Sequence, residues 1–228
     1  MILAWHNEPE LKASALERLR EHQRLETIVQ GSYWSSRFER GCQLGCLTHT
    51  NRDTHGAAEL LFGIAKRIGY WLEAVFEGLP SEEATQWVIE STEAIPVGAE
   101  LSRCHHHFCA WLMGESGLMR ITELNRAAIE KVRDLHLRAI SGDALDDSEL
   151  SAARSESLWA SSESESESAA AWASAWAARS AWRKIAAKSL EIFRSAPVPG
   201  ERESERERSA AYEPFDECDS AKTIRTGS

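Results

Sequence analysis

The spacing of apolar residues along the chain predicts an all-α protein. Apolar side chains recur at steps of three and four behind Asn7, which is typical of the N-cap of a first helix, and this helix is expected to end at Gly31. A short helix with an acidic first turn is predicted from Ser81. The same apolar spacing returns in three other stretches, residues 61–76, 102–113 and 121–139. These periodic segments predict a bundle of about five helices. Because no segment alternates between apolar and polar residues, we expect almost no sheet.

The composition changes after Gly142, and this change predicts the domain organisation. Residues 151–168 are dominated by Ser, Ala and Glu, and the stretch that follows is rich in Ala, with Trp and other apolar residues at helical spacing. We therefore expect a helical body over residues 1–142 and a long Ala/Trp-rich helical element over residues 143–195. The polar and highly charged remainder, residues 196–228, is predicted to be a disordered tail.

Residues 31–56 interrupt the helical pattern. Glycine, asparagine and threonine break any regular spacing in this segment, so the sequence predicts a long irregular loop. Loops of this length in compact domains are usually either functional or disordered. The cysteines and the aromatic pair Tyr33 and Trp34 argue against disorder, so we expect the loop to carry function.

The loop contains a cluster of side chains that bind metals in other proteins. Cys42 and Cys46 enclose three residues, and His49 follows three positions after Cys46. Thiolates and imidazoles are the ligands that zinc, iron and copper prefer. His22 or Glu26, one helical turn apart on the first predicted helix, would complete the shell. The sequence therefore predicts a transition-metal site, for an ion such as zinc or iron, built by the loop against the first helix.

Other interpretations of this cluster stay open. Gly41 and Gly45 precede the two cysteines, which would let the backbone turn tightly around a bound ion, and His55 is an alternative fourth ligand. Equally, the cysteines would fit as small buried side chains, with His22 as a core histidine. A disulfide or redox pair, or a nucleophilic Cys46 with a histidine base, are further alternatives.

A second group of histidines and cysteines lies between Cys104 and Cys109. His105 and Cys109 are four residues apart and could chelate an ion, with His106 as the alternative partner of Cys109. Consecutive residues on a helix point about 100° apart, so the three neighbouring histidines cannot all face one ion. We favour a partly exposed helix edge for this segment.

Charge and composition limit the classes of partner and compartment. The 228 residues include 26 basic and 36 acidic side chains, a net charge of −10, which opposes binding to nucleic acid or to anionic membranes. The N-terminus shows no signal-peptide pattern, and no apolar run approaches the roughly 18–20 residues of a spanning helix. Five cysteines without an export signal fit a reducing compartment, so we expect a cytoplasmic protein.

Tryptophans punctuate the Ala-rich element at helical spacing. Trp172, Trp176 and Trp182 would form a ridge that could bind a protein partner, because tryptophan is enriched in interface hot spots. The same spacing fits packing of the tryptophans onto the body of their own chain, which we favour on the amphipathic pattern.

Several segments resemble a group of bacterial and phage helical proteins for which no activity is established. The resembling residues are AWHNEPELK, HQRLETIVQGSYW, GCQLGC and EAIPVGAELS, together with the Ala-rich helix AAAWASAWAARSAW. The resemblance implies an interaction protein that acts on a host system, but it supplies no catalytic mechanism.

Two functional hypotheses follow from these patterns. The first is a metal- or small-ligand-binding helical protein with its site in the Cys/His loop. The second is a non-enzymatic acidic module that binds another protein, such as a phage-related inhibitor of a host protein. The sequence contains no G-x-S-x-G elbow, phosphate-binding glycine motif or H-E-x-x-H motif, so no enzymatic reaction is assigned.

Overall fold

The computed structural model describes residues 2–118, 123–143, 148–149 and 179–200. These residues form eight α-helices: α1 Pro9–Arg24, α2 Gln43–Thr48, α3 Thr54–Phe62, α4 Lys66–Gly78, α5 Ser81–Ala94, α6 Ser102–Met113, α7 Glu123–Ser141 and α8 Arg179–Arg194. A 3-10 turn at Ala4–Asn7 precedes α1, and the two-residue strands β1 Trp34–Ser35 and β2 Arg40–Gly41 pair antiparallel. The all-α prediction is confirmed for the described residues. The expected count of about five helices was too low, because seven helices lie between residues 9 and 141.

The first helix is shorter than its apolar pattern predicts. Asn7 lies in the 3-10 turn with a φ of 61°, and Glu8 is the N-cap residue of α1, so the prediction of Asn7 as the cap was wrong. The helix ends at Arg24, because Glu26 adopts the left-handed conformation with a φ of 55°. Beyond this turn Ile28 forms a parallel bridge with Gly41.

The segment that was predicted to be a loop contains α2. This helix is six residues long, which is less than two turns, and a stretch of that length shows no detectable apolar period. All residues from Gly41 to Leu47 are buried, so α2 lies inside the protein. The hairpin of β1 and β2 immediately before α2 is the only regular sheet among the described residues, which agrees with the expectation of almost no sheet.

The main core forms where α8 packs on α4 and α5. Ile185 and Phe193 of α8 are 1% and 0% exposed, in one apolar cluster with helices from the first half of the chain. The indole nitrogen of Trp71 on α4 donates a hydrogen bond to the hydroxyl of Ser189, which is also fully buried, at 3.0 Å. Burial of each large apolar side chain contributes about 1.5–3 kcal/mol. The far end of the chain therefore completes a core that begins near the N-terminus.

The described part of the C-terminal region bears on two further predictions, the packing of Trp182 and the tail from residue 196. Trp182 is half-buried and packs against the core, and a Cβ atom placed on Gly78 would lie 2.1 Å from its indole ring. Ala196 is buried and Val198 packs against the same core, although the sequence placed both in the tail. The following calls lie outside the described residues: Trp172, Trp176, the Ser/Ala/Glu-rich stretch 151–168 and the tail from residue 201 onward.

Among the residues that the structure describes, no helix has the length and apolarity needed to cross a membrane. Between residue 143 and the start of α8, the structure describes only residues 148 and 149. The expected domain boundary after residue 142 therefore stays a prediction.

Candidate functional site

Two of the predicted ligands, His22 and His49, meet in the structure. His22 lies in the last turn of α1 on its buried face, and His49 follows α2 as its C-cap residue with a left-handed φ of 54°. Their Nε2 atoms are 2.9 Å apart and their rings are perpendicular. The guanidinium of Arg18 on α1 donates a hydrogen bond to the carbonyl of Leu47 at 2.6 Å, which holds α1 against the end of α2.

The hydrogen bonds around His22 assign the protons of the pair. The hydroxyl of Thr27 donates to the carbonyl oxygen of His22 at 3.1 Å, and the same hydroxyl oxygen lies 2.7 Å from Nδ1 of His22. Since that hydroxyl proton is already used, Nδ1 of His22 carries the hydrogen and donates it to Thr27. A neutral His22 then has a lone pair on Nε2, and Nε2–H of His49 donates to it.

The surroundings of the pair favour its neutral form. The ring of Trp34 stacks on His49 with a centroid distance of 4.4 Å and meets His22 edge-on at 5.6 Å. Burial lowers the pKa of His22, and the neighbouring His49 and Arg18 lower it further. Partial desolvation of its ring, which remains accessible to water on one side of the pair, and the nearby Arg18 also lower the pKa of His49. Neutral imidazole is the form of histidine that can bind a metal ion, and these surroundings favour that form of both rings.

The two cysteines of the loop are buried thiols. Cys42 and Cys46 are 1% and 0% exposed and belong to the main apolar cluster. The thiol of Cys46 lies 3.3 Å from the carbonyl oxygen of Gly41, to which it can donate. Burial raises the pKa of Cys42 to about 11 and that of Cys46 to about 12. The thiolate is the reactive form of cysteine, and without a bound metal this environment favours the neutral thiol.

Glu26 does not share a helical face with His22. The two residues were expected to share a face because the first helix was predicted to continue past Glu26. Instead, α1 ends at Arg24, and Glu26 is an exposed residue in the left-handed turn that follows. Within the described ranges, which include all five predicted ligands, no group of three or more His, Cys, Asp or Glu side chains is arranged to hold a metal ion. The structure thus brings together the two histidines of the predicted set, without a third member beside them.

The glycines of the GCQLGC motif are explained by backbone packing. A Cβ atom on Gly41 would lie 2.0 Å from the carbonyl oxygen of Tyr33, and one on Gly45 would lie 1.5 Å from the same oxygen. Neither glycine has a positive φ. Glycine is required at both positions because the chain at Tyr33 crosses directly over the start of α2. This crossing explains the two glycines without a bound ion.

A buried hydrogen-bonded pair next to this crossing was not predicted from the sequence. Nε2 of His55, at the start of α3, lies 2.7 Å from a carboxylate oxygen of Glu73 on α4, and the His55 side chain is 6% exposed. The ring of Tyr70 stacks on His55 at 3.8 Å, and Tyr33 meets it edge-on at 6.0 Å. The two partners are 18 residues apart on different helices, so no sequence spacing marks them. His55, the alternative fourth ligand, is therefore committed to Glu73.

The second histidine group joins α6 to α7. Nδ1 of His106 lies 2.8 Å from Nδ1 of His136, and the sulfur of Cys109 lies 3.5 Å from Nε2 of His105. The contact between His105 and Cys109 has the expected spacing of four residues, while His136 was not singled out from the sequence. His107 is exposed, as expected for a helix edge.

No family model, curated protein or solved structure matches this chain. The resemblance to bacterial and phage helical proteins stays a prediction, as does a partner surface at Trp172, Trp176 and Trp182.

Proposed function

We propose that the protein binds a divalent transition-metal ion between His22 and His49. The observation that carries this proposal is the pair of Nε2 atoms that face each other at 2.9 Å. Two imidazole nitrogens on one tetrahedral zinc ion lie about 3.3 Å apart, given Zn–N distances of about 2.0–2.1 Å. To hold the ion, the pair would have to open by a few tenths of an ångström, and both rings would have to tilt so that their lone pairs point at the metal.

The surroundings supply the second requirement of a histidine ligand, a fixed ring orientation. Metal-bound histidines usually donate their other ring N–H to a protein group, which fixes the tautomer. Thr27 accepts that hydrogen bond from His22. For His49, binding requires its proton to move from Nε2 to Nδ1, where water can accept it because His49 is exposed.

Two protein ligands leave the remaining coordination positions to water or to a small exogenous ligand. Imidazole nitrogen suits zinc, copper, iron and nickel, so the protein ligands alone do not select one of these ions. Zinc is the simplest probe because it has no redox chemistry. This proposal retains the transition-metal prediction but replaces its ligand set, because Cys42 and Cys46 lie within the apolar cluster and Glu26 is exposed in the turn after α1.

The test is a zinc titration of untagged, chelator-free protein by isothermal calorimetry. The binding variants are His22→Gln and His49→Asn; asparagine is chosen at position 49 because it tolerates the left-handed conformation found there. We expect about one equivalent of zinc in the wild type and at least a tenfold loss of affinity in each variant. His107→Gln, at an exposed histidine outside the site, is the matched control and should bind zinc like the wild type.

A Cys42→Ala/Cys46→Ala double variant separates the two ligand sets. Unchanged zinc binding by this variant supports the histidine pair. Loss of zinc binding, with circular dichroism and thermal unfolding as in the wild type, would overturn the histidine-pair proposal in favour of the original Cys/His set. The proposal also fails if the wild type does not bind zinc, or if both histidine variants bind it as tightly as the control.

A further inference from the structure

A cleft on a different side of the protein lies between α4, α6 and α8. Its volume is about 610 Å³, which is in the range of small-molecule sites in proteins. Its apolar lining comes from all three helices: Trp71 and Val75 of α4, Phe108 of α6, and Trp182 and Ile185 of α8. None of the residues of the proposed metal site lines it.

The floor of the cleft presents hydrocarbon. Trp71 packs against Phe108 with a centroid distance of 4.4 Å and against Phe193 at 4.6 Å. Its indole N–H is directed away into the core, where it is satisfied by Ser189. The part of the indole that lines the cleft is therefore hydrocarbon, and a ligand bound there must have an apolar body.

One end of the cleft is positively charged. Lys66 and Arg67 form the first turn of α4 and both line the cleft. The ammonium of Lys66 is paired with Asp53 at 2.9 Å, whereas the guanidinium of Arg67 has no ion-pair or hydrogen-bond partner among the described residues. Arg67 is exposed and also lies close enough to His106 to lower its pKa. In a chain with a net charge of −10, an unpaired arginine beside an apolar cleft marks local complementarity to an anion.

We propose that this cleft binds a small carboxylate with an apolar body, such as a medium-chain fatty acid. The hydrocarbon part lies on Trp71, Phe108 and Trp182, and the carboxylate faces Arg67. Guanidinium and carboxylate groups match in geometry and form charge-assisted hydrogen bonds. A neutral ligand of the same length would leave Arg67 without a partner, so the charge distinguishes the proposed ligand class from apolar molecules in general.

The experiment measures decanoate binding to the full-length protein by isothermal calorimetry, below the micelle concentration and with EDTA present. EDTA removes any metal bound at His22 and His49, so the result does not depend on the proposed function. Ala74 lines the cleft and is exposed, and we expect Ala74→Phe to fill the cleft and abolish binding. Its control is Ala13→Phe, at an exposed position of α1 outside the cleft, which should bind decanoate like the wild type.

The charge is tested separately from the apolar surface. Arg67→Gln should weaken decanoate binding about tenfold and leave binding of decanol unchanged. Arg126→Gln, at an exposed arginine of α7 outside the cleft, is the matched control. No decanoate binding by the wild type, or equal binding by Ala74→Phe, would overturn the proposal. A further result would overturn the proposal that the ligand is a carboxylate: the wild type binds decanoate and decanol with equal affinity, and Arg67→Gln changes neither affinity.

Discussion

The rings of His22 and His49 are perpendicular, and the nitrogen atoms that face each other belong to residues 27 positions apart. This arrangement depends on the left-handed backbone of His49, which ends α2 and turns the side chain back toward α1. Position 49 therefore has two roles, one in the backbone and one in the side chain. Asparagine preserves the left-handed backbone and removes the imidazole. The variant His49→Asn therefore tests the role of the side chain alone.

Replacement of Thr27 by valine should weaken the proposed metal site without touching either ligand. Valine is similar in size but cannot accept the hydrogen bond from Nδ1 of His22, so the ring loses its fixed orientation. We expect zinc affinity to fall about tenfold and the free energy of unfolding to fall by about 1 kcal/mol. Thr27→Ser keeps the hydroxyl and should restore most of the affinity; a serine variant as weak as the valine variant would contradict this role.

Gly45→Ala should destabilise the fold severely. The new methyl group would overlap the carbonyl oxygen of Tyr33, at an unrelaxed distance of 1.5 Å, and a backbone carbonyl cannot move aside as a side chain can. We expect a loss of about 3 kcal/mol in urea unfolding. Gly69→Ala is the matched control within a helix, because its methyl group would meet only side-chain atoms at 3.2 Å. Similar stabilities of the two variants would show that the crossing at Tyr33 adapts freely.

The stability of the protein should fall between pH 7.5 and pH 5.5, partly through His106. Burial lowers the pKa of His106, and Arg67 and His107 lower it further; His136 and His105 also lie beside the ring. The unfolded chain, with a histidine pKa of about 6.5, takes up protons that the folded state does not bind. The free energy of unfolding therefore decreases as the pH falls below that value.

His106→Gln removes one contributor to this pH dependence. Urea unfolding at the two pH values should show a smaller decrease for the variant than for the wild type. Some decrease should persist, since burial also lowers the pKa values of His22, His49 and His107. A wild-type stability that is unchanged or higher at the lower pH would refute the prediction.

Ser189→Ala should loosen α8 from the core. The substitution leaves the buried indole N–H of Trp71 without its acceptor, and a buried unsatisfied donor costs about 1–3 kcal/mol. Ser180→Ala, at an exposed serine of the same helix, should change stability by less than about 0.5 kcal/mol. Thermal unfolding of both variants, followed by circular dichroism, makes the comparison.

Features that depend on neighbouring residues in the chain were predictable, and features that depend on crossings between distant segments were not. The apolar spacing placed His22 on the buried face of the first helix, because that spacing is local. The same pattern overran the end of α1, since the left-handed turn at Glu26 carries no sequence signal of its own. The short helix α2 escaped detection for lack of length.

The candidate site shows the same division. Residue type and spacing were enough to single out both histidines as candidate ligands. Their tautomers could not be predicted, because they depend on Thr27, which only the fold brings into position. Gly41 and Gly45 were recognised as unusual, but the carbonyl oxygen of Tyr33 that requires them could not be located from the sequence. The pairing of His55 with Glu73 likewise required the packing of α3 on α4.

The hydrogen bond between Trp71 and Ser189 also has a consequence for synthesis of the protein. The two residues are 118 positions apart, so at about 5–20 residues per second the serine leaves the ribosome roughly 6–24 s after the tryptophan. During that interval α4 and α5 have no α8 to cover their shared apolar surface. The nascent chain must therefore wait with this surface exposed, as a target for chaperones or for premature association, until α8 has been translated.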